Sequence, residues 1–389
     1  MYDFNKVINR KGTNCKKYDF EKAQVPNMIP KWVADMDFET LPEVKEAIIN
    51  RVQHGVFGYS FPDDEYYDAV INWMKVRHNF HIEKDWIVTT PGIVTALKVA
   101  VKAYTKKHDN IIVHKPVYYP FDFSVELNDR NIVECPLTLV DQQYQCDFKL
   151  FEKRIIENDV KMFILCNPHN PVGKVWKKEE LYQLGMICKK HGVIVVSDEI
   201  HMDFVYQGNK HIPFYNVDES FKEFSIICTA PSKTFNLAAL QTSNIIIANK
   251  ELKDKFEKTE VSNGINVPNV LGLEACKAAY KYGNNWVDEL IIYLQDNINY
   301  MINFFEKNLP QLKVIKPEGL YLVWVDMRAL NLNDEDLETF MLDKALLWLD
   351  EGYIFGSGGN GFERFNVACP RSILEQALNQ LKKAIEEIQ

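Results

Sequence analysis

At 389 residues, 47% hydrophobic and 25% charged, the chain can fill two or three domains around a large core, and wholesale disorder is excluded. Its formal net charge of -9 argues against nucleic acid or an anionic membrane as the main partner. The eight cysteines (15, 135, 146, 166, 188, 228, 276 and 369) form no C-x-x-C pair and gather no histidine cluster, so no metal site is expected. The opening MYDFNKVINRKGTNC lacks the apolar core of a signal peptide, and no uncharged apolar span is long enough to cross a bilayer. The expectation is a reducing, cytoplasmic setting.

Residues 1 to about 30 are polar and turn-rich, and Lys31-Trp32-Val33-Ala34-Asp35-Met36-Asp37-Phe38 follows as an acid–aromatic segment. Helical periodicity covers Leu41 to Val52, with Pro42 tolerated in the first turn, and returns from Asp64 to Phe80. Between them Gly55-Val56-Phe57-Gly58-Tyr59-Ser60 reads as a glycine-punctuated loop. Strands and helices then alternate. Strands are expected at 86–90, 110–113, 133–137, 162–166, 193–196, 226–228 and 244–248, with helices at 93–104, 150–158 and 178–191, the last stopped by Gly192. Several of these strands are apolar throughout, which indicates a mostly parallel sheet covered by helices on both faces. From about Asn285 the pattern changes to a long helix through Leu309, a strand from Leu320 to Asp326, a helix from Asp334 to Glu351 and a closing helix from Ser372. The expected division is an N-terminal segment (1–40) packing on the small domain and active site, a large α/β domain (41–284) and a small α+β domain (285–389).

The stretch Ser225 to Ser243 organises the rest. Its apolar run Ile226-Ile227-Cys228 breaks at Thr229-Ala230-Pro231 and delivers Ser232-Lys233 into a turn, followed by a helix-like segment around Leu237 to Leu240. Ligands of open α/β sheets collect beyond the carboxyl ends of strands, where a desolvated lysine can form a Schiff base. Taken alone, Lys233 would be an ordinary solvated loop lysine. Other strand ends change that: the Met162 run leads to Asn170, the Val193 run to Asp198, and the Ile111 run to Tyr118-Tyr119. The strand Ile87 to Thr90 passes through Pro91-Gly92 to a helix N-terminus, whose free N–H groups bind phosphate well. An amine, a carboxylate, an aromatic face, an amide and phosphate-binding N–H groups together describe a pocket for pyridoxal 5'-phosphate.

These groups lie in recognisable strings. N-P-H-N-P-V-G at 167–173, S-D-E-I-H at 197–201 and A-P-S-K-T-F-N at 230–236 resemble the fold type I (aspartate aminotransferase-like) pyridoxal-phosphate enzymes. W-V-A-D-M-D-F at 32–38, F-G-Y-S at 57–60 and R-F-N-V-A-C-P-R at 364–371 resemble, more narrowly, the MalY/PatB-type cystathionine β-lyase branch of the class II aminotransferases. The likeness spans essentially the whole chain. It implies Lys233 as Schiff-base lysine and proton carrier, Asp198 as partner of the ring nitrogen, and Asn170 as donor to the ring hydroxyl. His201 stands where many relatives carry Tyr. Tyr119 is the expected stacking residue, also touching substrate, with Tyr118 as the other choice. Gly92, Ile93, Val94 and Ser232 are expected at the phosphate, joined by Tyr59 from a neighbouring copy in a homodimer. Gln241 replaces the Arg that aspartate aminotransferases place at the phosphate. Arg364 is expected to clamp the substrate carboxylate, with Arg371 as the alternative, and Ala34 to line the substrate site. Leu320 stands where the branch has a small hydroxyl residue, which hints at an altered side-chain pocket.

The implied reaction is β-elimination from L-cystathionine or related S-substituted L-cysteines, giving thiol, pyruvate and ammonia. The same chemistry also serves an aminotransferase acting on neutral or aromatic amino acids. A regulatory or ligand-binding protein on the same fold is the reading from another class. Loss of Lys233 or Asp198 would have favoured it, and both are present.

Overall fold

The computed structural model describes residues 2–265 and 267–388. Seven strands form its central sheet: β1 (Ile87–Thr90), β2 (Asn110–Lys115), β3 (Asn131–Pro136), β4 (Val160–Cys166), β5 (Ile194–Asp198), β6 (Ser225–Thr229) and β7 (Ser243–Ile246). Their spatial order is β1-β7-β6-β5-β4-β2-β3. Within it β7 runs antiparallel to both neighbours while the remaining pairings are parallel. The apolar runs of β4, β5 and β6 are explained by burial on two sides. Phe163, Leu165, Val195 and Ile227 face a core shared with Trp176, Leu184 and Phe221. Their alternates Met162, Ile164, Val196 and Ile226 face Ala96, Leu97 and Ala100 of the helix Ile93–Tyr104. This is the α/β architecture expected from the strand pattern.

A second sheet of β8 (Lys313–Ile315), β9 (Leu322–Asp326), β10 (Asp350–Glu351) and β11 (Phe362–Asn366) is antiparallel, in the order β8-β9-β11-β10. The helix expected from Asp334 to Glu351 is corrected here. Its helical part ends at Thr339, one wide turn covers Phe340–Lys344, and the chain becomes extended at Leu347–Trp348 and Asp350–Glu351. The apolar run Leu346-Leu347-Trp348-Leu349 suits a buried helix or a buried strand equally. Pairing with Ile29–Pro30 and with β11 decides for the strand. Two helices, Lys250–Ser262 and Val270–Tyr282, were not anticipated.

The acid–aromatic segment 31–38 straps the two sheets together. On the side of the second sheet, Asn366 donates its backbone N–H to Lys31 O (3.0 Å) and its side-chain amide to Val33 O and Asp35 O (2.6 Å each). On the other side Asn236 accepts from Met36 N (3.0 Å) and donates to Met36 O and Phe38 O (2.9 and 3.0 Å). The strap is anchored by charge. Asp37 receives Lys17 Nζ (2.9 Å), Tyr18 Oη (3.1 Å) and Arg10 Nη1 (2.8 Å), and Lys17 is fully buried. Burial pushes the Asp37 carboxyl up, but Lys17 and Lys31 outweigh it and hold it below its ordinary range. A depressed carboxylate stabilises the fold above its unfolded pKa and loses that contribution as pH falls through the folded value. Asp37→Ala, which leaves Lys17 buried without its closest anion, is expected to destabilise the protein by roughly 3–5 kcal/mol near pH 7. Denaturant titrations of both proteins check this, and the gap between them should narrow in acid.

Candidate active site

The carboxyl ends of β6, β5 and β4, adjacent in the sheet, and of β2 beside them open on one cavity of about 220 Å³. Each strand contributes through the first residues after, or at, its end. β6 runs into a single helical turn, Pro231–Thr234, carrying Ser232 and Lys233, and Asp198 closes β5. The register fixes their neighbourhood, with Asp198 opposite Cys166 on one side and Cys228 on the other. Asn170 lies four residues beyond β4, where its backbone carbonyl accepts from Tyr118 N (3.1 Å). From β1, Pro91 and Gly92 lead into the N-terminus of Ile93–Tyr104. Gly92 has φ 90° and ψ 157°, a conformation open essentially to glycine alone, and an added Cβ would lie 3.0 Å from Gln241 Oε1.

Ala34, Gly92, Ile93, Val94, Asn170, Asp198, His201, Ser232 and Lys233 all line this cavity. Three expected residues do not. Tyr118, not Tyr119, faces it: Tyr119 caps the helix Pro120–Glu126 and packs against Phe123 and Phe355 at 5.9 and 5.8 Å. Of the two tyrosines considered for stacking, Tyr118 is therefore the one that faces the cavity, and Tyr119 is not. Tyr119 already has helical backbone (φ -57°, ψ -25°) at the turn into Pro120, which separates the two side chains, and the sequence holds no sign of which one faces in. Arg364 is buried behind the lining, reaching Asn170 Oδ1 through Nη1 (3.1 Å). Tyr59 lies on the surface, 98% exposed, beside Arg51, Phe61 and Lys277. Leu320 is buried, with φ 68°, and lies outside the lining; its neighbour Tyr321 reaches the site, donating to Ala34 O at 3.0 Å. Arg371 points away, with Nε on Asn297 Oδ1 (2.8 Å).

The lining also holds Thr95, Cys166, Ile200, Ala238, Gln241 and Thr242. Cys166 reaches the cavity as the last residue of β4, a place at a strand end that is a usable signal. Thr95 lies in the first turn of its helix and Thr242 just before β7, both inconspicuous in sequence.

Electrostatically the cavity is a pairing of opposite displacements. Burial pulls the Lys233 amine down to about 8, with Arg364 also lowering it and Asp35 and Asp198 opposing. Burial lifts the Asp198 carboxyl to about 7, against the N–H of Ile200, which it accepts at 3.1 Å. His201 is driven well below its ordinary value by burial, by Lys233 and by Arg364, so its imidazole is neutral; its Nδ1 is buried without a partner. Lys233 Nζ rests on Ala34 O at 2.7 Å. A reactive amine, a carboxylate able to hold a proton-bearing partner, an unsatisfied imidazole nitrogen and a helix N-terminus suited to an anion thus surround one space.

Such a site at the strand ends of an α/β sheet suits a small, polar, anion-bearing ligand. The family model "Aminotransferase class I and II" matches residues 33–381, and the chain belongs to that family. It is 42% identical to cystathionine β-lyase PatB of Bacillus subtilis over 385 residues, 98% of this chain and 100% of the relative. Protein MalY of Escherichia coli is 34% identical, with both chains fully covered. Among solved structures, cystalysin from Treponema denticola, which contains a pyridoxal 5'-phosphate cofactor, matches with a TM-score of 0.97 and 40% identity over 100% of both chains.

An amine with a pKa near 8 is about one-tenth unprotonated at pH 7, whereas an ordinary lysine is well under one-thousandth so. Competitive acetylation of the cofactor-free protein, followed by peptide mass spectrometry across pH 6 to 10, should show Lys233 acquiring reactivity at least one pH unit below the surface lysines.

Proposed function

We propose that this protein is a pyridoxal 5'-phosphate-dependent carbon–sulfur β-lyase that converts L-cystathionine or a related S-substituted L-cysteine, with water, to a thiol, pyruvate and ammonia. The observation that carries the reading is Lys233 and Asp198 sharing one desolvated cavity with a helix N-terminus, in a chain similar end to end to a cystathionine β-lyase. The cofactor supplies an electrophilic carbon and a ring that stabilises negative charge on the substrate's α-carbon. The chain's residues do the rest. Lys233 Nζ, lowered towards neutrality, holds the cofactor and then carries the α-proton. Asp198, raised in the cofactor-free cavity, takes a ring N–H and becomes a buried ion pair. Asn170 and the neutral His201 meet the ring hydroxyl, and Tyr118 covers the ring face. Gly92, Ile93, Val94 and Ser232 present N–H and hydroxyl groups to the phosphate. Arg364 takes the substrate carboxylate, with Ala34 on the substrate side. Residues 41–284 would hold the cofactor, 285–389 the carboxylate clamp, and 1–40 the strap between them.

The working unit we propose is a cytoplasmic homodimer. Tyr59, almost fully exposed, sits among Val52, Val56, Phe57 and Phe61, all exposed hydrophobics. Such a patch is unusual on a monomer, and a second copy would bury it and bring Tyr59 to its neighbour's phosphate.

The test is pyruvate released from L-cystathionine by the holoenzyme without any 2-oxo acid. Many turnovers per site are expected, lost in Lys233→Ala, whereas a single equivalent of keto acid would mean an aminotransferase. Tyr59→Phe is expected to keep the dimer in sedimentation runs while weakening cofactor retention on dialysis roughly tenfold, the worth of one hydrogen bond to a charged group.

A further inference from the structure

The side chain behind Arg364 bears on how substrate is admitted, given the carboxylate role proposed for that arginine. Asp350 on β10 is the register partner of Arg364 on β11, so the two side chains share a face of the sheet, and both are buried. Arg364 Nη1 donates to Asn170 Oδ1 (3.1 Å), and Nη2 donates both to Trp32 O (2.7 Å) and to Asp350 Oδ2. Nε is buried without a partner. A guanidinium offers two double-pronged edges, one formed by Nε and Nη2, the other by Nη1 and Nη2. Both edges need a hydrogen from Nη2, and both Nη2 bonds are taken. Nε remains free, yet it cannot make a fork alone. A carboxylate can therefore be gripped at two points only after one Nη2 partner lets go. Trp32 O is a neutral carbonyl of the strap and tolerates an anion beside it. Asp350 is a carboxyl group, and two carboxylates on one nitrogen repel.

We propose that Asp350 is a positioning residue that acts through Arg364: it holds one Nη2 hydrogen that the guanidinium fork needs while the site waits, and is exchanged for the substrate's carboxylate on binding. The exchange keeps the buried cation paired at every stage, and the released Asp350 carboxylate, itself buried, takes up a proton from solvent rather than stand as an isolated charge. It also sets affinity, since each incoming carboxylate must outcompete one already in place.

The experiment measures binding of propionate, a plain carboxylate, to the holoenzyme by calorimetry, alongside KM and kcat for L-cystathionine. Asp350→Asn keeps the shape and removes the competing charge. Its propionate Kd is expected to fall at least about tenfold, the scale of a hydrogen bond to a charged group, and KM should fall with it. Asp350→Glu, which restores the charge, should return both towards the wild-type values. In an Arg364→Ala background, Asp350→Asn should have no effect. Weaker or unchanged binding in folded Asp350→Asn, or the same gain without Arg364, overturns the exchange. Should Asp350→Asn fail to fold, Asp350→Ser makes the same comparison. Equal propionate binding by wild type and Arg364→Ala would instead sink the carboxylate role of Arg364, a separate result from a binding step that needs Arg364 but ignores Asp350.

Discussion

Removing water from one cavity displaces its two principal charges in opposite directions. Burial lowers the Lys233 amine and raises the Asp198 carboxyl, so each is brought towards the pH at which it can exchange a proton. Neither shift could come from a surface loop. Both depend on adjacent parallel strands ending at one level, because the register that sets Asp198 beside Cys166 and Cys228 also sets the turn bearing Lys233 next to it. The parallel sheet thus acts on the chemistry through desolvation.

The strap 31–38 closes that environment. Its Ala34 carbonyl accepts from both Lys233 Nζ and Tyr321 Oη, and its Trp32 carbonyl accepts from Arg364. One segment therefore touches both the amine at the end of one sheet and the guanidinium on the other. Its carbonyls are held from two directions, those of Val33 and Asp35 by Asn366 and those of Met36 and Phe38 by Asn236. Its acidic residues, conspicuous in the sequence, face the buried Lys17 and Arg10 and serve as the anchor.

Much of this was legible in the chain. Parallel strands that are buried on both faces are spelled as unbroken apolar runs, so their ends, and with them Asn170, Asp198 and Lys233, could be located by the first polar residues beyond. The side that a residue faces is another matter. Tyr118 and Tyr119 are chemically identical, and only the turn into Pro120 sends one to the cavity and the other to Phe355. The stretch after Thr339 is ambiguous on a larger scale: local periodicity allows a helix, while the partners at residues 29–30 and 363–364 that make it a strand are remote in sequence. Arg364 was found from its motif, but Asp350, fourteen residues upstream, became visible only through strand register.

The anion end of the cavity follows a different logic from its amine end. Among the described residues, Lys233 is the one cationic side chain in the lining, and Gln241 contributes an amide held against Ala238 O. A phosphate there must be balanced by the N–H groups and dipole of the helix Ile93–Tyr104, which together amount to about half a charge. Half a charge leaves a phosphate dianion largely uncompensated within one subunit. Further donors arriving from outside would be worth more here than in a site with its own arginine. That is the electrostatic reason to expect an exposed aromatic hydroxyl such as that of Tyr59 to matter to cofactor retention, and for the site to be complete only when two copies meet.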